Sequence, residues 1–306
     1  MPLSPIQSPQ PAAAGTAENA RGAAFMMAAM AAFAVNDALV KVVAPEIGLF
    51  QTIFLRGAAA SVLIGLLAWR MRAFRGLPGR RDSGIIGLRT LGELGGTVFF
   101  LTALINMPLA NATAILQSLP LAVALGAALF LREPIGWRRS LAIAAGFAGV
   151  LLIVRPGAAG FNVYALSALA AVLFIALRDL TTRRLSAGVS SVFVTFVTSC
   201  ASALLGLVGT LAGDWTPVDG WVMALILASA ASILLAYLFS ILAMRVGEVG
   251  FTAPFRYSIL IWALILGALV FGEVPDGWTI AGSVLIVATG LFTFFRERQM
   301  ARRSGS

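Results

Sequence analysis

Histidine is absent from the 306 residues, and Cys200 is the only cysteine. A disulfide within the chain is therefore excluded, as is a metal site built from histidine and cysteine ligands. We predict no metal and no cofactor. The helices offer no serine beside a plausible base, and no nucleotide-binding motif of the G-x-x-x-x-G-K-[ST] type occurs. The sequence therefore predicts neither an enzyme nor a pump that hydrolyses ATP by itself.

Charged residues are also scarce. They make up 11% of the chain, whereas hydrophobic residues make up 59% and the mean hydropathy is +0.94. A water-soluble domain with a polar surface could not tolerate this balance, so the composition predicts an integral membrane protein whose partner is the lipid bilayer. A spanning helix needs about 20 apolar residues, which leaves room for about ten spans in this chain.

Ten apolar runs bounded by Gly, Pro or charge predict an all-α fold of ten transmembrane helices. The predicted spans are residues 22–43, 49–69, 84–105, 109–131, 140–154, 163–180, 190–211, 221–243, 251–271 and 278–295. Residues 1–21 lack a basic cluster before an apolar core, so they are predicted to be a disordered cytoplasmic tail rather than a cleaved signal. Residues 296–306 are predicted to be a second cytoplasmic tail.

Lysine and arginine are distributed unevenly between the predicted loops. Seventeen of the 22, Arg178 among them, fall on the side of the N-terminus, whereas Lys41 and Arg155 fall on the other side. Because cytoplasmic loops carry the excess of basic residues, both termini are predicted to be cytoplasmic, in a bacterial inner membrane. This asymmetry accounts for the net charge of +9 without a nucleic-acid partner.

The chain also repeats itself. Asp37-x-x-x-Lys41 recurs in the second half as Asp179-x-x-x-Arg183, and LGAALFLREPIGW at 125–137 recurs as LGALVFGEVPDGW at 266–278. These matches predict two repeat units, at residues 22–155 and 163–295. Each unit has five spans, an odd number, so the second unit must be inverted relative to the first. Inverted repeats are the architecture of many secondary transporters, whose substrate site lies near the midplane where the halves meet.

Charges inside the predicted spans are candidates for that site, because each costs at least about 2.5 kcal/mol at membrane depth and usually faces a cavity or a partner. Arg89 and Glu93 share one face of span 3 and are within reach of an ion pair. They are either ligands of a substrate or a self-neutralised structural pair. The second alternative is supported by Gly92 and Gly96, which form a close-packing face beside them.

Span 9 supplies the other charged candidate. Arg256 and Tyr257, just after Pro254, could stack a flat ring or grip an anionic group, although Arg256 could also extend to the surface. Gln117 is the neutral counterpart in span 4, and Asn36 in span 1 is a further cavity candidate because the repeat does not copy it.

Arg56 is the remaining intramembrane arginine. The repeated spacing of Asp37 and Lys41 predicts a partly architectural role for that pair.

The chain resembles the drug/metabolite transporter superfamily, in particular its ten-helix bacterial members with two EamA repeats. The acidic-Pro-Gly-Trp hinge at residues 133–137, its copy at 273–278 and the Arg-rich C-terminal end carry the resemblance, which covers residues 22–296. It implies that spans 1, 3, 4, 6, 8 and 9 line a central cavity and that spans 5 and 10 close the far end. Span 2 is then peripheral, so we expect a structural partner for Arg56, such as a carboxylate of the same half, as readily as contact with a substrate.

Two segments, FFLTALINMPLANATAILQSLPLAV and APFRYSILIWA, are similar to bacterial riboflavin importers within that superfamily. The resemblance therefore implies a secondary transporter of a small organic metabolite, with riboflavin uptake favoured. The alternatives are an exporter of amino acids, drugs or other metabolites, an S-adenosylmethionine carrier, and a non-transporting receptor or structural membrane protein. Small-residue helix faces are compatible with packing within the chain or with a homodimer.

Overall fold

The computed structural model describes residues 16–74, 78–131, 136–157, 161–186 and 188–304. Over these ranges the chain is helical and contains no strand. Nine of the helices described there are long and apolar enough to cross a bilayer, and a shorter apolar helix covers Ser140–Val154. The predicted all-α fold of ten spans is thus confirmed. The hinge residues 132–135 and residues 1–15 of the predicted N-terminal tail lie outside the described ranges.

The helices fall into two series of five spans. The first series comprises α1 (Thr16–Ile47), α2 (Leu49–Arg70), α3 (Arg80–Asn106), α4 (Leu109–Leu116), α5 (Leu119–Leu131) and α6 (Trp137–Val154). The second comprises α7 (Tyr164–Thr182), α8 (Ser191–Leu211), α9 (Gly220–Val246), α10 (Val249–Thr252), the 3-10 helix Ala253–Ser258, α11 (Ile259–Phe271) and α12 (Gly277–Ser304). In each series the fourth span is made of more than one segment.

Spans 4 and 9 are interrupted, whereas the sequence predicted continuous helices. α4 and α5 are separated at Gln117 and Ser118, where the Ser118 hydroxyl donates to the Ile115 carbonyl oxygen at 2.7 Å. Pro120 follows, and its missing N–H removes one helical hydrogen bond. Pro254 has the same effect in the 3-10 helix of span 9. Interrupted helices in matching positions of the two halves are characteristic of transporters built from inverted repeats.

Both terminal helices are longer than predicted. α1 begins at Thr16, and α12 continues to Ser304, so residues 16–21 and 296–304 are helical where tails were predicted. The prediction stopped each helix where apolar residues end. A helix that is already nucleated can extend through good helix formers such as Ala, Glu and Arg outside the membrane.

The turns between spans are set by local backbone chemistry. Gly48 joins α1 to α2 with φ +83°, a left-handed conformation that costs glycine little. Arg155 ends α6 with φ +46° and forms an ion pair with Asp276 in the loop before α12. The Asp276 carboxylate also accepts a hydrogen bond from the Thr279 backbone N–H at 2.8 Å, and this bond holds the pKa of Asp276 below its usual value.

The two halves pack across each other. α1 packs on α9 and α3 packs on α7, while α2 packs on α8 and α6 packs on α12. In the repeat, α7 corresponds to α1 and α9 corresponds to α3. The pseudo-symmetry that relates the two halves therefore converts the α1–α9 contact into the α7–α3 contact. The predicted inversion of the repeats is consistent with this exchange, and the interior is formed where the halves meet.

Candidate functional site

Polar side chains from both halves meet inside the bundle. We call this group the central polar cluster. Its members are Asn36 and Asp37 of α1, Arg56 of α2, Arg89 and Glu93 of α3, Arg178 and Asp179 of α7, Thr198 of α8, and Ser229 and Tyr237 of α9. Three arginines stand against three carboxylates. The cluster divides into two sides that differ in how these charges are paired.

On the α3–α7–α8 side, every charge has a close partner. The Arg178 guanidinium binds Glu93 through Nη1 at 3.2 Å and Asp179 through Nε at 2.9 Å. Arg89 donates to the hydroxyl oxygens of Thr198 at 2.7 Å and of Thr182 at 3.1 Å. These bonds join three helices and give each charged group on this side a hydrogen-bonded partner.

The same helices approach closely at Gly92. A Cβ atom at this position would lie 2.8 Å from both the Phe174 carbonyl oxygen and the Arg178 backbone nitrogen. Only glycine therefore allows the α3 and α7 backbones to come this near. The close packing predicted for the Gly92–Gly96 face is confirmed, and the close approach brings Arg178 within reach of Glu93.

The α1–α2–α9 side is less tightly paired. Asn36 donates to Asp37 at 2.9 Å and accepts from the Ser229 hydroxyl at 2.8 Å. Arg56 interacts electrostatically with Asp37, Tyr237 and Glu93. Across the described ranges, however, no ion pair or hydrogen bond engages its guanidinium group. An arginine with five N–H donors and no protein acceptor is unusual inside a membrane protein.

Tyr237 interacts electrostatically with that arginine and lies seventeen residues into α9, which contacts α2. Its ring meets Phe33 edge-on, with the ring centroids 5.5 Å apart. The tyrosine remains 55% exposed, although it interacts electrostatically with Arg56, Arg89 and Glu93 on two other helices. Tyr237 therefore combines an exposed surface with an electrostatic interaction with the charges of the cluster.

A second polar network crosses between the halves at the end of the bundle away from the termini. The Lys41 ammonium binds Glu273 Oε1 at 2.5 Å and the Met107 carbonyl oxygen at 2.6 Å. Glu273 Oε2 accepts from the Leu109 backbone N–H at 2.7 Å, which caps the first turn of α4. Lys41, predicted to lie on the side opposite the termini, is buried at that end of the bundle. We refer to these contacts as the Lys41–Glu273 link.

The structure places three of the predicted site residues in the central polar cluster: Asn36, Arg89 and Glu93. Arg89 and Glu93 interact electrostatically, as their spacing predicted, but each makes its hydrogen bonds to α7 or α8 instead. Sequence spacing identified the shared face, and it could not show that Arg178 would compete for Glu93.

Arg256 and Tyr257 lie apart from this cluster, in the 3-10 helix. Arg256 is exposed, and the hydroxyl of Tyr257 contacts α12 at Gly290, where no larger residue would fit. Their neighbour Phe255 packs in one apolar cluster with Met26 of α1. Met26 precedes Asn36 by ten residues, which is about 15 Å along a helix axis.

Gln117 lies at the break between α4 and α5, where its backbone N–H bonds the Thr113 carbonyl oxygen and its side chain is half-buried. Trp262, whose expected fate was core packing, is half-buried against the apolar cluster that contains Phe255.

Sequence reasoning missed Arg178 and Tyr237 and placed Arg56 on a peripheral helix. Arg178 was counted among the cytoplasmic charges because it lies near the end of a span. The repeat held the signal, since Arg178 precedes Asp179 as Asn36 precedes Asp37 and therefore occupies the position that matches a cavity candidate, although the residue type differs. Tyr237, one of only three tyrosines, stands alone in an apolar helix.

An apolar groove with a volume of about 370 Å³ lies elsewhere, between α11 and α12. Leu260, Leu264, Val284 and Leu291 are among its lining residues. It offers almost no polar surface, which suits an acyl chain of the surrounding lipid and not the orientation of a polar metabolite. We therefore place the candidate site at the central polar cluster.

Comparison with known proteins agrees with this architecture. The description "EamA-like transporter family" matches residues 20–155 and again residues 162–295. A solved crystal structure with 20% sequence identity aligns with a TM-score of 0.59, covering 92% of this chain and 99% of that chain. At this identity the likeness shows the fold alone.

Several curated relatives extend over most of the chain. An S-adenosylmethionine uptake transporter of Rickettsia conorii is 25% identical over 92% of this chain and 95% of the relative. A riboflavin transporter of Vibrio cholerae is 28% identical over 92% and 96%, respectively. A pseudopaline exporter of Pseudomonas aeruginosa is 29% identical over 83% and 89%.

Proposed function

Since the chain belongs to the EamA-like transporter family, we propose that it is a secondary transporter that moves a small organic metabolite across the bacterial inner membrane by alternating access. Riboflavin is the favoured cargo, and uptake the favoured direction. The observation that carries the proposal is the central polar cluster, which both repeats build inside a multi-pass membrane protein. We propose this cluster as the cargo site.

The cost of the cluster supports this assignment. Each charge at the middle of a bilayer is unfavourable by at least about 2.5 kcal/mol on insertion scales. The α3–α7–α8 side offsets that cost by internal pairing, whereas Arg56 has no such partner among the described residues. A side chain of this kind is expected where it meets water or a ligand.

Contacts between the halves support alternating access. The Lys41–Glu273 link ties α1 and α4 of the first repeat to the loop before α12 in the second. Gln51 of α2 similarly donates to the Thr216 carbonyl oxygen at 2.7 Å, in the loop before α9. These contacts close the end of the bundle away from the termini. We propose that they separate when residues 22–155 rock against residues 163–295.

Riboflavin fits the character of the cluster. Its ring system is flat and carries carbonyl oxygens at one edge, which match an exposed tyrosine ring beside an arginine. The Vibrio relative is named a riboflavin transporter. S-adenosylmethionine is the second candidate, because carboxylates and arginines in one cavity suit a cargo with charges of both signs, and the Rickettsia relative is named for its uptake.

Reconstitution into liposomes tests the proposal. We expect saturable accumulation of labelled riboflavin, inhibited by unlabelled riboflavin, with protein-free liposomes as the control. Chromatography should recover riboflavin unchanged, as expected of a carrier that does no chemistry. If S-adenosylmethionine accumulates and riboflavin does not, S-adenosylmethionine is the cargo and the favoured assignment is wrong. Binding of either compound without net movement would indicate a receptor, and loss of preloaded cargo without uptake would indicate an exporter.

The membrane orientation is a separate proposal. The excess of arginine on the side of the termini favours both termini in the cytoplasm. In a Cys200→Ser background, a cysteine appended to either end should be unreactive to an impermeant thiol reagent in intact cells. A homodimer is compatible with the exposed apolar helix faces, and cross-linking in native membranes would detect it.

A further inference from the structure

We infer that the space beside Arg56 and Tyr237 binds the hydrogen-bond-accepting edge of a flat aromatic cargo, and that the ion pairs of Arg178 hold the helices together without touching cargo. This inference rests on the proposed carrier function. It limits the proposed cargo site to one side of the central polar cluster, because the two sides differ in the hydrogen-bond donors that they leave available to a ligand.

Arg56 offers donors that the protein leaves unused. Arg178 is engaged by Glu93 and Asp179, and Arg89 by two threonine hydroxyls. Arg56 has only electrostatic neighbours in the described parts of the chain, and the charge that influences it most is the carboxylate of Asp37. Arg56 is half-buried and its unpaired N–H donors are accessible, so water can occupy this position in the empty carrier. A carbonyl oxygen of the cargo can replace that water.

Tyr237 supplies the surface on which a ring can lie. Phe33 packs against it at an interplanar angle of 87°, which restricts the orientation of the tyrosine ring, and 55% of the residue remains exposed. Aromatic pairs prefer offset-stacked or edge-to-face geometry, so a flat cargo can stack on the tyrosine ring. Arg56 comes from α2, which contacts α9, and it would donate its N–H bonds to a carbonyl group at the edge of the stacked ring.

Comparison of the repeats shows that this arrangement exists on one side only. At the sequence offset that relates Asp37 to Asp179, the counterpart of Arg56 is Thr198. Thr198 has no positive charge, and its hydroxyl oxygen accepts from Arg89. The copied carboxylate, Asp179, is likewise occupied by Arg178. The duplicated framework therefore presents one open donor site and one closed pair network, as an asymmetric cargo requires.

Equilibrium binding to the purified full-length chain tests the inference, with quenching of riboflavin fluorescence as the readout. We expect Arg56→Gln and Tyr237→Ala each to weaken binding at least tenfold, whereas Arg56→Lys and Tyr237→Phe should weaken it less. Arg70→Gln, on the same helix as Arg56, and Tyr164→Ala are the matched controls at exposed positions. Wild-type affinity in a folded Arg56→Gln variant would overturn the inference.

A second measurement separates failure of the inference from failure of the proposed cargo. If the wild-type chain binds neither riboflavin nor S-adenosylmethionine, the favoured and alternative cargoes are wrong. Thiol labelling then decides whether an open site exists. In a Cys200→Ser background, Arg56→Cys should react with a hydrophilic sulfonate thiol reagent, whereas Ile53→Cys, buried on the same helix, should not. No reaction at position 56 would overturn the inference whatever the cargo.

Discussion

The two sides of the central polar cluster began as copies of one repeat and now differ in how their charges are satisfied. On the α3–α7–α8 side, Arg178 is bonded to Glu93 across two helices that touch at Gly92, and Arg89 is bonded to two threonines. On the α1–α2–α9 side, Arg56 has no bonded partner among the described residues, and Tyr237 is 55% exposed. The two repeats therefore keep a carboxylate at matching positions but use it differently. Asp179 is bonded to Arg178 in a structural pair, whereas Asp37 belongs to the candidate ligand site.

The largest expected effect is on the paired side. Arg178→Gln leaves Glu93 and Asp179 without their guanidinium partner at membrane depth. Breaking a buried ion pair costs about 3 to 5 kcal/mol, and the partial exposure of this one reduces the expected loss to about 2 kcal/mol. Reversible unfolding in mixed micelles would measure it.

The double variant Arg178→Gln with Glu93→Gln is the control for that experiment. Neutralising the orphaned carboxylate should recover part of the lost stability. An Arg178→Gln variant as stable as the wild type would mean that the two sides of the cluster do not differ in the way the contacts indicate.

A smaller loss is expected from Gly92→Ala on the same side. The added methyl group would lie 2.8 Å from the backbone of α7, so the helices must separate. Overpacking of this kind typically costs about 1 to 3 kcal/mol, and the better helix propensity of alanine offsets part of it. We expect a net loss of about 1 kcal/mol in the free energy of unfolding.

Gly87→Ala is the matched control for Gly92→Ala. Gly87 is on the same helix, but a Cβ atom there would meet nothing within 4 Å. Alanine should therefore leave stability unchanged or raise it by about 0.5 kcal/mol. Equal losses at the two glycines would show that helix propensity, and not the close approach of α3 to α7, explains the result.

The sequence was sufficient for the parts of the structure that depend on local pattern. Apolar run length gave the spans, and the copied segments gave the repeats and their inversion. The sequence could not predict which side chains pair between different helices. Arg89 and Glu93 are four residues apart and share a face, yet Glu93 binds Arg178, which is 85 residues away in sequence. Nothing in the spacing within one helix distinguishes these outcomes.

The sequence likewise could not predict which polar side chains would be buried and which would be exposed after the helices pack. Span 2 is apolar and was expected to be peripheral, yet its Arg56 reaches the charges of α1 and α3. Arg256 and Tyr257 have the chemistry of a ring-binding site, but the 3-10 helix turns Arg256 outward and packs Tyr257 on α12. Their contact with cargo stays a prediction, whereas the position of Tyr237 became evident only once the helices were assembled.

The smallest change in stability is expected for Arg56→Gln, and it is the most direct test of the difference between the two sides of the cluster. Arg56→Gln is the same substitution as Arg178→Gln, but it removes a charge that has no bonded partner in the described structure. The free energy of unfolding should change by no more than about 0.5 kcal/mol, as is usual where no packed or bonded contact is lost. Both variants should be measured in the same micelles. A large loss for Arg178→Gln with little change for Arg56→Gln would show that Arg178 stabilises the fold, whereas Arg56 is available to a ligand. A loss at Arg56 as large as the loss at Arg178 would instead mean that the electrostatic interaction of Arg56 with Asp37 is structural, and the open side of the cluster would then be as architectural as the paired side.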